Sequence, residues 1–124
     1  MTPATVLVVD DDPHLQKLMK KFLQLEGFTS VLAGNGQEAL TYLRGGGGAS
    51  CIVLDLRMPV MDGWAFRVEQ RQDPNLRDIP VVVLSAAMDP AQEAARLGAI
   101  AGLGKPLDIA RLLNLVAQYC PRRS

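Results

Sequence analysis

Four apolar runs in this chain each end on a charged or hydroxyl side chain. TVLVV leads into Asp10, Asp11 and Asp12, CIVL into Asp55, VVVL into Ser85, and AIAGLG into Lys105. An acid where a buried strand emerges is either a cap or a reactive group. If these ends meet, the carboxylates repel, by about 4 kcal/mol for a pair ~4 Å apart at an effective dielectric of 20. A cation must offset that repulsion. Mg²⁺ suits the task, being hard, oxygen-seeking and content to keep several waters. Lys105 supplies a second, compact positive charge. A metal, a carboxylate and a lysine together equip a site for phosphoryl transfer, which needs positioning and neutralisation of the three equatorial oxygens. A carboxylate is a competent nucleophile for that reaction and forms an aspartyl phosphate. On this reading Asp55 attacks, Asp11 with Asp10 behind it holds Mg²⁺, and the Ser85 hydroxyl and Lys105 ammonium each meet a phosphoryl oxygen.

The elements that must carry these residues follow from periodicity. Apolar runs at 5–10, 28–33, 51–55, 80–85 and 99–104 read as strands, the last a poor one with two glycines. Helical spacing places Leu15, Leu18, Met19 and Phe22 on one face after the first, and Ile109, Leu112, Leu113 and Val116 on one face after the last. Asp12-Pro13 and Asp89-Pro90 are helix starts, with aspartate as N-cap and proline in the first turn. Asp62 can cap the helix through WAFRVEQRQ, Gly27 can end the first helix, and Asn35-Gly36 precedes a short helix to Arg44. Gly45 to Gly48 reads as a flexible spacer at the end of the sheet away from the acids. Strand and helix thus alternate five times. Near-continuous apolar strands imply a parallel sheet covered on both faces, an α/β doubly wound (βα)5 fold of the flavodoxin-like type with strand order 2-1-3-4-5. Ligands of such sheets bind beyond the carboxyl ends of the strands, where the winding reverses. All the polar ends named above lie on that edge.

The totals restrict the alternatives. The 124 residues are the size of one domain, 1–124, and 48% hydrophobic content supports a packed core. Thirteen Lys and Arg balance thirteen Asp and Glu, so the charge makes no case for nucleic acid or an anionic membrane, and Arg122-Arg123 is too short to change that. Cys51 and Cys120 lack metal-type spacing and read as reduced, buried thiols. With neither a signal peptide pattern nor a membrane-length apolar run, a cytoplasmic location is expected. His14 has no partner in sequence, Asp12 is better explained as a cap than as a ligand, and Trp64 and Tyr119 read as packing. GLGK lacks the glycine spacing of a phosphate loop.

VLVVDDDP, IVLDLRMPVMDG, VVVLSA and GLGKP, in this order, resemble the receiver domain of two-component response regulators. The resemblance runs over essentially the whole chain. It implies a signalling switch rather than an enzyme, with Asp55 as phosphoacceptor and Asp10 and Asp11 as the acidic pair. It also implies Mg²⁺ held by Asp11, Asp55 and the backbone carbonyl of Arg57, with Ser85 and Lys105 as the switch hydroxyl and lysine, and a cis Lys105-Pro106 bond. The donor would be a histidine kinase or a histidine phosphotransfer protein. Output would pass by protein contacts around the fourth helix, fifth strand and fifth helix to a partner the sequence does not name. A weak homodimer is among the partners the resemblance allows.

Three features depart from the family pattern. Gly102 stands where an aromatic side chain commonly reports phosphorylation, so no side chain can rotate there. The fourth-helix region looks shortened and is alanine-rich. Arg57 and Ala87 occupy positions that tune dephosphorylation, and Arg57 is expected to reach over the phosphoryl group. Gly102 motivates a rival reading, a degenerate receiver acting as a constitutive interaction module. A flavin protein of the same fold is disfavoured, because three aspartates after the first strand would repel a flavin phosphate. An aspartyl phosphatase is disfavoured because Arg57 stands where such enzymes place an acid.

Overall fold

The computed structural model describes residues 4–120. The Arg122-Arg123 pair lies outside them. Five strands alternate with five helices: β1 (Thr5–Val9), α1 (Pro13–Leu25), β2 (Thr29–Ala33), α2 (Gly36–Arg44), β3 (Cys51–Asp55), α3 (Gly63–Gln72), β4 (Val81–Ser85), α4 (Pro90–Leu97), β5 (Ala101–Gly104) and α5 (Ile109–Tyr119). The strands form one parallel sheet in the order β2-β1-β3-β4-β5. This is the flavodoxin-like arrangement expected from the alternation of apolar runs and amphipathic stretches.

The two-residue period of a strand divides the core into two layers. Val6, Val8, Val53, Val82 and Leu84 face Met19 and Leu23 of α1 and Leu112 and Val116 of α5. Leu7, Val9, Ile52, Leu54, Val81 and Val83 face Ala39, Leu40 and Leu43 of α2, Phe66 of α3 and Leu97 of α4. Each such aliphatic side chain gains about 1.5–3 kcal/mol on full burial, so a sheet covered on both faces is strongly favoured over an open one.

Helix ends follow the local chemistry. Asp12 Oδ1 accepts from the His14 and Leu15 amides at 2.9 and 3.4 Å, so Asp12 is the N-cap it reads as. Asn35, Asp62, Asp89 and Asp108 cap α2, α3, α4 and α5 in the same way. Gly27 (φ +86°) and Gly98 (φ +66°) turn the chain out of α1 and α4 in the left-handed region. At eight residues α4 is indeed short. The Lys105-Pro106 peptide is cis.

One expectation is corrected, that for Trp64 and Tyr119. At the tetraglycine, Tyr42 Oη donates to the Gly48 carbonyl at 2.8 Å and the Gly47 amide donates to the Tyr42 carbonyl at 2.9 Å, while Gly45, Gly46 and Gly48 are exposed. This segment lies at the end of the sheet away from the acids. Trp64 and Tyr119 are each 38% exposed and not core side chains. Cys51 and Cys120 are free and buried, as their isolation in sequence implies.

Candidate functional site

Strand register assembles the site. Val9 of β1 pairs with Leu54 of β3, which brings Asp10 level with Asp55. Asp55 in turn pairs with Leu84, beside Ser85, and Ser85 pairs with Gly104. The Lys105 amide donates to the Ser85 carbonyl at 3.0 Å, continuing the ladder one residue past β5. Asp10, Asp11, Asp55, Ser85 and Lys105 are thereby gathered from four strand ends at the point where the winding reverses.

Asp10, Asp55 and Ser85 are almost fully buried, whereas Asp11 is exposed. Lys105 Nζ lies 3.0 Å from Asp55 Oδ1 and 3.8 Å from Asp10 Oδ2. Asp10 Oδ1 accepts from the Asp12 amide at 2.9 Å, and Gln16 Nε2 donates to the Asp10 carbonyl at 2.6 Å. Asp10 is thus held from the first turn of α1. Burial raises the Asp10 carboxyl above its ordinary pKa; the Asp12 amide opposes this, Asp55 and Asp11 add to it, and Lys105 opposes it. For Lys105, burial favours the neutral amine. The bond to Asp55 and the charges of Asp10, Asp55 and Asp11 outweigh it, and the net pKa is raised.

Beyond Asp55 the chain turns through Met58 and Pro59. Val60 sits at φ +68°, and the Gly63 amide bonds back to the Leu56 carbonyl at 3.0 Å. A Cβ on Gly63 would lie 2.4 Å from the Asp55 carbonyl oxygen, so only glycine lets α3 begin this close to the acid. The Arg57 amide approaches Asp55 Oδ1 at 3.5 Å, and the exposed Arg57 side chain borders the cleft. Ser85 Oγ accepts from the Ala87 amide at 3.0 Å and keeps its own proton for an acceptor in the cleft.

The cleft has a volume of about 210 Å³ and is lined by Asp11, Asp55, Arg57, Ser85 and Lys105. Trp64, Ala87 and Glu93 line it as well. Glu93 carries no motif signal and is absent from the sequence reading. Trp64 reads there as packing, because nothing local reveals that it borders this cleft.

The residues fit a hard divalent cation. Asp10, Asp11 and Asp55 each offer a carboxylate oxygen, all within 4.8 Å of one another. Asp10 Oδ2 is buried without a hydrogen-bond partner among the described residues, and its contact with Lys105 is long at 3.8 Å. Crowded, under-satisfied anionic oxygens are the donor set that Mg²⁺ takes.

The parallel five-stranded sheet thus carries an acid triad, a hydroxyl and a lysine at its switch point. The sequence pattern of the response regulator receiver domain matches residues 6–117. The chain belongs to that family, whose members are signalling switches working with histidine kinases or phosphotransfer proteins. It is 30% identical to sporulation initiation phosphotransferase F of Bacillus subtilis, over 96% of this chain and 95% of that protein. It is 37% identical over 117 residues to an uncharacterized 14.6 kDa protein of Leptolyngbya boryana, covering 93% of this chain and 88% of that one. Among solved structures it resembles the receiver domain of the sensor histidine kinase PA1611 from Pseudomonas aeruginosa PAO1, which has a magnesium ion coordinated in its active-site cleft. That similarity has a TM-score of 0.84 at 26% identity and covers 96% of this chain and 98% of that one. Some relatives are longer, and the chain spans 53% or 24% of their length. Among the described residues no helix is long and apolar enough to cross a membrane.

Proposed function

We propose that residues 1–124 are a single receiver domain that takes a phosphoryl group from a phosphohistidine onto Asp55 and signals through protein contacts. The observation that carries this reading is the ion pair of Lys105 with Asp55 at 3.0 Å, inside a carboxylate cluster drawn from separate strand ends. An Asp55 carboxylate oxygen forms the new bond to phosphorus. The P–N bond breaks, and the imidazole of the donor leaves with the electron pair and takes up a proton. Lys105 and the Ser85 hydroxyl hold phosphoryl oxygens as charge builds on them. Asp10, Asp11, Asp55 and the Arg57 carbonyl would hold Mg²⁺, which when bound supplies the positive charge that lets the carboxylates and a phosphoryl group coexist. Arg57 covers the mouth of the cleft and limits the approach of water to the acyl phosphate.

Incubation with acetyl phosphate and Mg²⁺, followed by intact mass measurement, tests the chemistry. The wild type gains the mass of one phosphoryl group and Asp55→Ala gains none. An equal gain in both would remove Asp55 from the role. In the same assay Arg57→Ala is expected to lose the group faster.

Gly102 favours a second reading, a module that binds its partner whether or not it is phosphorylated. Equal partner affinity with and without a phosphoryl mimic would support that alternative. The switch requires unequal affinities.

A further inference from the structure

Gly102 does not leave a hole. A Cβ there would lie 2.2 Å from the Pro90 carbonyl oxygen, 2.7 Å from its carbon and 3.1 Å from the Ala94 Cβ. The first turn of α4 therefore rests directly on β5, in space that a larger side chain would need. One turn along from Pro90, Glu93 lines the same cleft as Asp55, Ser85 and Lys105. Its Oε2 is buried and has no hydrogen-bond partner among the described residues. Of the two cations that line the cleft, Lys105 is engaged with Asp55 and Asp10, and Arg57 is exposed at its border with no ion pair to Glu93 among the described residues.

The two ends of α4 are held differently. At its C-terminus the buried Arg67 of α3 donates from Nε to the Leu97 carbonyl at 2.8 Å and from Nη2 to the Gly98 carbonyl at 2.9 Å. At its N-terminus the backbone lies against Gly102 by contact alone. A force at Glu93 would lift the first turn and pivot the helix about its anchored end.

We infer that Glu93 is a positioning residue of this site, reading the phosphoryl charge at Asp55 and moving α4 in response. The inference rests on the phosphoacceptor reading. A phosphoryl group brings roughly −1.5 to −2 charge in place of the carboxylate's −1. It arrives in the cleft that already holds the unpaired carboxylate of Glu93. Repulsion then favours the state with α4 lifted, which is the differential interaction any two-state response requires. By linkage, a partner that binds the lifted helix tightens the hold on the phosphoryl group.

Calorimetric titration with beryllium fluoride, a phosphoryl mimic, at saturating Mg²⁺ provides the test, together with amide exchange of residues 90–97. Glu93→Gln is expected to bind the mimic about five- to tenfold more tightly than wild type, the factor a like charge in such a cleft accounts for. Loss of a mere structural contact, or of charge drawing in the metal, would weaken binding instead. Exchange in α4 should quicken on mimic binding in the wild type and stay unchanged in Glu93→Gln. Gly102→Ala, whose Cβ displaces Pro90, should also tighten binding, and adding Glu93→Gln to it should bring little more. Equal or weaker binding by Glu93→Gln, or equal quickening of α4 in both proteins, overturns the role of Glu93 and leaves the phosphoacceptor intact. If the wild type takes up neither the mimic nor a phosphoryl group from acetyl phosphate, the phosphoacceptor reading falls and this inference with it.

Discussion

Asp10 shows most clearly how a single residue trades stability for chemistry. Its side chain is buried, touches Lys105 only at 3.8 Å, and shares its surroundings with Asp55 and Asp11. A carboxylate so placed destabilises the metal-free fold, because desolvation and like charge both oppose ionisation. Asp10→Asn keeps an oxygen for the Asp12 amide and removes the charge. It is therefore expected to raise stability by about 1–2 kcal/mol without Mg²⁺, seen as a higher Tm. At saturating Mg²⁺ that advantage should shrink or reverse, if the lost carboxylate holds the metal as proposed. A lower Tm in metal-free buffer would contradict the account of Asp10 as a strained acid. That an acid stands here at the end of an apolar run was legible in the sequence; its full burial was not.

At the scale of elements, α3 and α4 are tied by a polar cluster that no motif announces. Arg67 is buried, with no carboxylate partner among the described residues. It caps the C-terminus of α4 through the Leu97 and Gly98 carbonyls and bonds Gln70 Oε1 at 2.8 Å. Gln70 Nε2 in turn holds the Leu76 and Ile79 carbonyls at 3.0 and 3.1 Å in the loop leading to β4. Burial, and to a lesser degree the neighbouring Arg71, lower the Arg67 pKa, a cost the negative end of α4 and three acceptors offset. Arg67→Met should destabilise the domain by about 2–4 kcal/mol, measured by denaturant unfolding, because the Leu97 carbonyl and Gln70 Oε1 are left buried and unpaired. A loss below about 0.5 kcal/mol would mean that water replaces the guanidinium at little cost. In sequence, Arg67 and Gln70 sit among the polar residues of WAFRVEQRQ and look solvated. Only the approach of α4 turns them inward.

For the whole molecule, the doubly covered sheet is the source of rigidity, and the two cysteines report on it. Cys51 at the start of β3 and Cys120 at the end of α5 are each only 1% exposed and share one core cluster. The hydrogen bond to Cys120, together with burial, pushes the Cys51 thiol well above its ordinary pKa. Both thiols should therefore resist alkylation at neutral pH in the folded protein and react at the rate of global unfolding. Rapid labelling of either in native buffer, with the Tm unchanged, would show that α5 frays from the sheet independently.

Strand and helix periods, the caps Asp12, Asp62 and Asp89, and the polar ends of the apolar runs are local properties. They were sufficient to place Asp10, Asp11, Asp55, Ser85 and Lys105 on one edge, because a parallel sheet with right-handed crossovers sends every strand's carboxyl end the same way. Which further side chains reach that edge was decided by tertiary structure alone. The missing side chain at Gly102 lets α4 settle on β5 and carry Glu93 into the cleft, and the start of α3 against Asp55 turns Trp64 toward it. Distances between elements depend on the volumes that meet where they cross. That information belongs to pairs of residues far apart in the chain, so no single stretch of sequence displays it.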